Sequence, residues 1–182
     1  MKRNDIAFEV MDKSLFYAYQ EQIINFNCDG ERFSDGLNQR LQTSLDNDVT
    51  TLIFFDTSAN YNIIGYCSYC CASAKVNGEI FPAVEIVNFA HDNAYQDLYF
   101  DEDNHLSKEN KMPCAAFTFR FCINWIENIC RKHIHANFII LFAEGRQRLV
   151  NFYSRNLFDV CPAGYYFLRP SSDYAMIHVI NR

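Results

Sequence analysis

Apolar residues recur along the chain in short continuous runs and in four-residue steps, which are typical of strands and helices respectively. The most distinct run is Phe81–Asp92, FPAVEIVNFAHD, in which Ala83–Ala90 are interrupted only by Glu85 and Asn88. This run predicts a buried central strand, because a helix needs about ten or more residues. Similar runs predict further strands at Ile6–Met11, Val49–Asp56, Ile63–Lys75, Ala136–Ala143 and Tyr174–Ile180.

Helical spacing of apolar residues predicts the remaining regular elements. The predicted helices are Ser14–Phe26, Glu31–Leu45, Met112–His133 and Gln147–Phe158. An Asn77-Gly78 pair predicts a tight hairpin that leads into the central strand. Residues 93–111 follow neither period and carry five acidic side chains, so we expect a long functional or mobile loop there.

The order of these elements predicts the fold class. Read from the amino terminus it is β-α-α-β-β-β-loop-α-β-α-β, with one strand–helix–strand unit among mostly antiparallel strands. No repeat or linker interrupts it, and the length suits one domain of ordinary size. The chain is therefore expected to form a single α+β (α/β) domain over residues 1–182.

Composition narrows the classes of function. Apolar residues make up 49% of the chain, but no apolar run reaches the roughly eighteen residues of a membrane span. The first ten residues show no export signal, so a cytoplasmic location is expected. The net charge of −6 argues against a general nucleic-acid binder, although it leaves a local basic patch open.

The cysteines suggest no metal site. Cys67 and Cys70 form a C-x-x-C pair, and Cys130 precedes His133 and His135. Neither group has a second half with zinc spacing, and a separation of three places the two cysteines on opposite faces of a strand. We expect buried free thiols and no bound metal.

Two stretches resemble the GNAT superfamily of acetyl-CoA-dependent N-acetyltransferases. EIVNFAHD, from Glu85, is similar to the family's fourth-strand motif E-I-x-x-L-A-V-D. RLVNFYSRNLF, from Arg148, is similar to A-x-x-F-Y-x-x-x-G-F on the helix after the fifth strand. The resemblance covers nearly the whole chain. It implies a mixed, mostly antiparallel six- to seven-stranded sheet with helices on both faces, acetyl-CoA as co-substrate and an amine acceptor.

The resemblance also implies catalytic roles for two residues. Glu85 stands where some members place the base that deprotonates the acceptor, which is needed because an alkylammonium has a pKa near 10.4. Tyr153 stands where many members place the phenol that protonates the departing thiolate. The alternative for Glu85 is a strand-end acid bonded to a neighbour, and for Tyr153 a core aromatic.

In the family, cofactor binding depends on a gap between the fourth and fifth strands, where backbone groups take up the pantetheine arm. The resemblance assigns these groups to Asn88, Phe89 and Ala90, and assigns Asn151 to the cofactor as well. The family's Q/R-x-x-G-x-G/A phosphate loop is missing, because the sequence from Gln96 to Asp101 contains no glycine.

Two lysines offer a replacement for that loop. Lys108 and Lys111 precede the helix predicted to start at Met112, so together with its amino end they could hold the phosphates. In the alternative, the acidic segment fills the cofactor site. Leu157 stands where the family commonly has glycine, and we expect Asn156 to take the left-handed conformation instead.

The acceptor site is implied only in outline. By resemblance it lies among the first helices and last strands, which supply Phe16, Tyr17, Tyr166 and Arg169; the same residues could instead form core or a homodimer face. One alternative function is a GNAT-fold binding or regulatory module without acetyl-CoA. Another is a toxin that acetylates aminoacyl-tRNA, suggested by FNCDGERFSDGL and IIGYCSY, which look like segments of GNAT toxins.

Overall fold

The computed structural model describes residues 1–28, 41, 45, 48–143, 147–162, 165–167 and 174–180. These form two compact units. Unit 1 comprises Met1–Ser68 and Asn88–Phe119, and unit 2 comprises Tyr69–Val87 and Arg120–Arg182. The predicted helix Glu31–Leu45 lies outside the described residues except for Leu41 and Leu45, both of which are helical.

Unit 1 begins with a strand and two short helices: β1 (Ile6–Val10), α1 (Lys13–Ala18) and α2 (Gln20–Asn25). The single helix predicted over 14–26 is interrupted at Tyr19, where φ is −111° and ψ is 25°. Asp12 starts α1 by accepting the N–H of Leu15 at 2.8 Å, a side-chain N-cap. Strand β2 (Thr50–Asp56) follows and pairs antiparallel with β1.

Two long strands and one long helix contribute residues to both units. They are β3 (Asn62–Val76), β4 (Glu79–His91) and α3 (Cys114–Ile129). The predicted hairpin joins β3 to β4, with Asn77 and Gly78 at φ values of 49° and 94°. Helix α3 starts two residues later than predicted and ends in a π-helical turn over Cys130–Ile134.

Unit 1 carries helices on both faces of its part of the sheet. On one face, α1 and α2 pack against a cluster that includes Phe16, Ile23, Phe55 and Ala90. On the opposite face of β4, the ring of Phe89 lies 4.8 Å from that of Phe119 on α3. This arrangement agrees with the fold expected from the sequence.

Unit 2 contains the remaining elements: β5 (Phe138–Ala143), α4 (Gln147–Arg155), β6 (Asp159–Val160), β7 (Tyr165–Phe167) and β8 (Tyr174–Val179). Strand β5 is parallel to β4 and antiparallel to β8, while β6 pairs with β8 and β7 with β3. Strands β6 and β7 were not predicted, since two and three residues are too few to show a period.

Hydrogen bonding orders the strands β1-β2-β3-β4-β5-β8-β6, with β7 beside β3. The predicted mixed, mostly antiparallel sheet is therefore confirmed, and β4 is its middle strand. Among the described residues, no helix combines the length and apolarity that crossing a membrane requires.

Candidate functional site

Glu85 lies in a cross-strand row in unit 2. It pairs with Ile140 of β5, which pairs with Ile177 of β8, which pairs with Asp159 of β6. Paired residues share a face of the sheet, so Glu85 shares its face with the buried cluster formed by Ala83, Ile140 and Ile177. Its side chain is only partly buried, although the apolar run predicted deep burial.

Pairing between β4 and β5 ends at Ile86, one residue after Glu85. The ladder holds four pairs, from Ala83–Phe138 to Ile86–Leu141, in the part of the chain that the structure describes. Burial along β4 also loses its two-residue period over Val87–Phe89, which are all partly exposed. Loss of alternation at the end of a ladder is typical of an irregular strand segment.

The end of α4 lies on the other face of the sheet in unit 2. His178 of β8 pairs with Ile139, which pairs with Val84, and these three therefore share the face opposite Glu85. The Nδ1 atom of His178 lies 2.9 Å from the carbonyl oxygen of Leu157, just beyond α4. The two residues predicted to catalyse, Glu85 and Tyr153 of α4, thus belong to opposite faces.

Tyr153 is held by the cap at the carboxyl end of α4. Its carbonyl oxygen accepts the N–H groups of Asn156 at 2.9 Å and Phe158 at 3.2 Å. Its ring, which is partly buried, also meets that of Phe158 edge to face, with centroids 6.5 Å apart. A bond from the third residue beyond a helix end back to its last turn, with an apolar contact alongside, is the Schellman motif.

The expectation that Asn156 takes the left-handed conformation is wrong. Leu157 takes it, with φ at 78°, and its side chain is 54% exposed. Asn156 is buried, and its Nδ2 atom donates to the carbonyl oxygen of Phe152 at 2.8 Å. The Asn156 amide is therefore already used inside the cap.

Three residues around this cap, Arg120, Glu127 and His178, were not identified from the sequence. Arg120 of α3 donates to Asn156 Oδ1 at 2.9 Å and to the carbonyl oxygen of Arg155 at 3.1 Å. Glu127, two turns further along α3, lies 2.6 Å from Nε2 of His178. The seven-residue spacing of Arg120 and Glu127 indicates a shared helix face, but their partners are distant in sequence.

In unit 1, the three residues assigned to the pantetheine arm have different surroundings. Ala90 is buried in the cluster beneath α1 and α2, whereas Asn88 and Phe89 are partly exposed. Phe89 also packs against His91, with ring centroids 5.3 Å apart. The assigned role concerns their backbone groups and stays a prediction.

His91 is buried at the end of β4. Its Nε2 atom lies 2.6 Å from Thr118 Oγ1, and Thr118 Oγ1 lies 3.1 Å from the carbonyl oxygen of Cys114. If Thr118 donates its hydroxyl hydrogen to the Cys114 carbonyl oxygen, the Thr118 oxygen can only accept from His91. The His91 ring then carries its hydrogen on Nε2, and its Nδ1 atom is an acceptor. Within the described residues Nδ1 has no hydrogen-bond partner, and burial lowers the pKa of the ring to about 3.

The acidic segment over residues 93–111 lies within unit 1 and is bonded to other parts of it near its start and near its middle. Near its start, the Tyr95 hydroxyl donates to Asp56 of β2 at 3.1 Å; burial first and the Asp56 charge second raise the pKa of Tyr95 to about 12. Further along, Asp103 forms a salt bridge of 2.6 Å with Arg3, whose hydrogen bond is the main reason that the pKa of Asp103 is lowered. The guanidinium of Arg3 also lies over the ring of Phe100. Asp103 is thus neutralised within the segment's own unit.

The two lysines predicted to hold phosphate lie at the end of this segment. Lys108 is exposed in a short 3-10 turn, and Lys111 Nζ lies 3.4 Å from Asn104 Oδ1. The helix start beyond them already has acceptors: Met112 N–H faces Asp103 at 3.4 Å, and Cys114 N–H donates to the carbonyl oxygen of Leu98 at 2.8 Å. Any phosphate site here therefore depends on the lysine side chains more than on the amino end of α3.

The four residues assigned to the acceptor are not alike. Phe16 belongs to the buried core of unit 1, whereas Tyr17 beside it is 71% exposed. Tyr166 lies in β7 opposite Lys75 of β3, and Arg169 lies outside the described residues. Asn151, assigned to the cofactor, is exposed on α4 and accepts a hydrogen bond from Gln147 at 2.9 Å. Because its side chain is buried, Phe16 contributes mainly to the core of unit 1.

None of the eight cysteines forms a disulfide. Burial, as the largest cause, raises the pKa of Cys114 to about 12 and that of Cys130 to about 11. Cys71, in contrast, is exposed, against the expectation of burial. Among the described residues, no three His, Cys, Asp or Glu side chains are placed to hold a metal ion.

The chain is similar in fold to solved structures of toxins. A tyrosine-to-phenylalanine mutant of the toxin AtaT, bound to the C-terminus of the antitoxin AtaR, matches with a TM-score of 0.70 over 97% of this chain and 94% of that chain, at 13% identity. AtaTR bound with acetyl-CoA matches with a TM-score of 0.68 over 97% and 94%, also at 13% identity. AtaT complexed with acetyl-methionyl-tRNAfMet matches with a TM-score of 0.64 over 96% and 95%, at 15% identity.

No protein-family model and no curated protein matches this chain. Identities of 13–15% establish a shared fold, and they leave the role of each side chain to be argued from its chemistry.

Proposed function

We propose that this chain, which has the GNAT fold, is an acetyl-CoA-dependent N-acetyltransferase. One observation carries the proposal: Glu85 and the end of α4 lie on opposite faces of the sheet in unit 2, and β4–β5 pairing stops one residue after Glu85. Groups on opposite faces can reach one thioester only if it lies in the plane of the sheet. An end to pairing between two strands provides such a place.

Glu85 is the general base in this proposal. Its carboxylate removes a proton from the acceptor ammonium, directly or through water, because only the neutral amine has a lone pair for attack. The nitrogen then forms a bond to the thioester carbon and the carbon–sulfur bond breaks. Tyr153 donates its phenolic proton to the departing thiolate and recovers a proton from solvent, while the second nitrogen proton leaves to solvent.

Binding of the co-substrate is assigned to the residues that the family resemblance implies. Backbone groups of Asn88, Phe89 and Ala90 take the pantetheine arm, and Asn151 contributes from α4. Lys108 and Lys111 pair with the phosphates, aided by Arg3, which neutralises Asp103. This arrangement replaces the missing glycine loop with side-chain charge.

Turnover measurements test the catalytic roles. Glu85→Gln should leave acetyl-CoA affinity within about twofold and lower kcat by roughly 10²–10⁴, the usual contribution of a general base. Tyr153→Phe should lower kcat less, because solvent can replace a phenol as acid. Glu79→Gln and Tyr174→Phe are matched controls, since both residues are exposed and outside the β4–β5 ladder. Wild-type kcat in Glu85→Gln would exclude Glu85 as the base.

A comparison of two ligands tests the lysines. Replacing both Lys108 and Lys111 with alanine should weaken the binding of coenzyme A. Calorimetry should show a loss of roughly 1–3 kcal/mol in binding free energy if each lysine makes a charge-assisted hydrogen bond. The same variant should bind pantetheine, which has no diphosphate, as the wild type does. Equal losses for both ligands would show that the lysines support the structure and do not bind phosphate.

The amine of an aminoacyl-tRNA is a second candidate acceptor. The observation that favours it is the fold shared with AtaT, which has been solved in complex with acetyl-methionyl-tRNAfMet. The net charge of −6 opposes it, because tRNA is a polyanion. Parallel assays with methionyl-tRNA and with small polyamines, each at two salt concentrations, separate the two acceptor classes.

A GNAT-fold binding module without acetyl-CoA is the alternative in a different class. It is favoured by the absence of glycine from Gln96 to Asp101 and by the acceptors already present for Met112 N–H and Cys114 N–H. Calorimetry decides between the two: no heat with millimolar acetyl-CoA, from protein that unfolds cooperatively, would leave only the module.

A further inference from the structure

The carboxyl end of α4 is satisfied more completely than a surface helix requires. The last carbonyl groups of a helix have no partner within it, and one cap residue usually supplies a donor for some of them. Here the carbonyl oxygens of Phe152, Tyr153 and Arg155 in the last turn, and of Leu157 just beyond it, have donors, from Asn156, Phe158, Arg120 and His178 respectively. Two of these donors come from other elements, α3 and β8.

Arg120 and His178, the donors from α3 and β8, each make a second polar contact. Arg120 reaches the cap with two nitrogens: Nε binds Asn156 Oδ1 and Nη2 binds the Arg155 carbonyl oxygen, a geometry that a planar guanidinium can fill and a lysine cannot. His178 lies between the Leu157 carbonyl oxygen and the carboxylate of Glu127, which also pairs with Arg131 at 2.7 Å. The cap is thereby connected to two turns of α3.

Tyr153 lies at the centre of this arrangement. Its carbonyl oxygen receives two of the cap N–H groups, and its ring contacts Phe158, whose own ring lies 5.7 Å from that of His178. Displacement of the cap would therefore shift both the backbone and the ring of Tyr153. A phenol that must deliver a proton to one sulfur atom tolerates little displacement.

We propose that Arg120 and His178 are positioning residues for the proposed acetyl transfer, because they hold the cap of α4 and so direct the hydroxyl of Tyr153. This inference rests on the proposed function. Neither residue touches the reacting atoms, and each acts through the cap.

A double-mutant cycle tests the coupling. Arg120→Ala should lower kcat roughly ten- to hundredfold, the scale of a misplaced group, with KM for acetyl-CoA within about twofold. In a Tyr153→Phe background the same change should have almost no further effect, since no phenol remains to be positioned. Lys132→Ala is the matched control, since this exposed basic residue lies in the π-helical turn directly after α3. If Arg120→Ala does not fold, His178→Asn replaces it.

Amide hydrogen exchange supplies a readout that does not depend on turnover. The N–H groups of Asn156 and Phe158, both bonded to the Tyr153 carbonyl oxygen, should exchange several-fold faster in Arg120→Ala and remain unchanged in Lys132→Ala. Unchanged exchange would overturn the inference. The inference would also be overturned if Arg120→Ala lowered kcat by the same factor in the Tyr153→Phe background as in the wild type. In that case Tyr153 would remain the acid, but Arg120 would not act through it. Wild-type kcat in Tyr153→Phe would overturn the positioning role and the acid role of Tyr153 but not acetyl transfer itself, because solvent can protonate the thiolate. No turnover by the native chain would overturn the proposed function.

Discussion

Leu157 occupies a backbone conformation that its side chain disfavours. A φ of 78° brings Cβ close to the following carbonyl group, and only glycine avoids this cost of roughly 1–2 kcal/mol. The strain persists because the bond from Phe158 N–H to the Tyr153 carbonyl oxygen requires a left-handed residue between them. The side chain gains little in return, since more than half of it is exposed.

Leu157→Gly should therefore stabilise the protein. Relief of strain outweighs the added freedom of the unfolded chain, with a net gain of about 0.5–1 kcal/mol expected. The measurement is the urea midpoint at constant slope. Leu157→Ala keeps Cβ and should not raise the midpoint, so an equal rise in both variants would contradict the explanation.

His91 links pH to the stability of unit 1. The ring is buried and its pKa is lowered to about 3, below the ordinary value of about 6.5 that applies in the unfolded chain. A lowered folded-state pKa means that the neutral ring contributes its full stability above pH 6.5. That contribution is lost progressively as the pH falls from 6.5 towards 3.

Replacing His91 should flatten this part of the pH profile. Between pH 7 and pH 3 the wild type should lose up to about 5 kcal/mol through this group, and His91→Gln should not show that loss even if it is less stable at pH 7. Unfolding free energies at several pH values measure the difference. His105→Gln, at an exposed position, is the control and should follow the wild-type profile.

At the scale of elements, two glycines support strands β3 and β4 for different reasons. Gly78 has a φ of 94° in the hairpin, with open space where Cβ would lie. Glycine is required at position 65 of β3, because a Cβ there would lie 2.5 Å from the Ala90 carbonyl oxygen and 2.8 Å from His91 Cδ2. The close approach of β3 to the end of β4 in unit 1 depends on the absence of that atom.

Gly65→Ala should consequently destabilise the protein by roughly 1–3 kcal/mol, the usual cost of overpacking. Gly78→Asn should cost much less, because asparagine tolerates the left-handed conformation and meets no neighbour. Denaturant unfolding of both variants measures the contrast. Equal losses would mean that the contact at Gly65 is relieved by a small shift of the strands.

Long periodic elements were predicted well from the sequence, and their ends were not. β2, β3 and β4 agree with their predicted ranges to within a few residues, because each is a long run of one period. The break at Tyr19 and the start of α3 at Cys114 were missed, since local propensity continues across both. Tertiary contacts, such as Cys114 N–H with the Leu98 carbonyl oxygen, decide those ends.

At the scale of the whole molecule, the proposed function requires that acetyl-CoA bind the folded chain and not the unfolded one. A ligand at a hundred times its Kd adds about 2.7 kcal/mol to the free energy of unfolding. For a chain of 182 residues this corresponds to a Tm increase of about 5–10 °C.

The thermal shift should also separate binding from chemistry. Tyr153→Phe should show the wild-type shift with acetyl-CoA, because the phenol acts on the departing thiolate and not on the bound co-substrate. The variant with alanine at both Lys108 and Lys111 should show a smaller shift. No shift in any variant, from protein that melts cooperatively, would contradict the proposal.

The candidate site was predictable only in part. Glu85 and Tyr153 could be identified because each stands in a motif that is continuous in sequence. Arg120 and His178 could not, since their roles arise from contacts 35 or 36 residues away for Arg120 and 21 and 51 residues away for His178. Phe16 was assigned to the acceptor, yet packing places it in the core.

The sequence by itself determined the main strands, the helical stretches that contain α1 to α4, the hairpin and the acidic segment, because these depend on short-range period and turn chemistry. Only the tertiary structure decided that β4–β5 pairing ends after Glu85, that Asp103 is neutralised by Arg3, and that α4 is capped from α3 and β8. Pairing registers and charge partners join residues far apart in the chain. Their choice depends on how the elements pack, and that information is not carried by any single stretch.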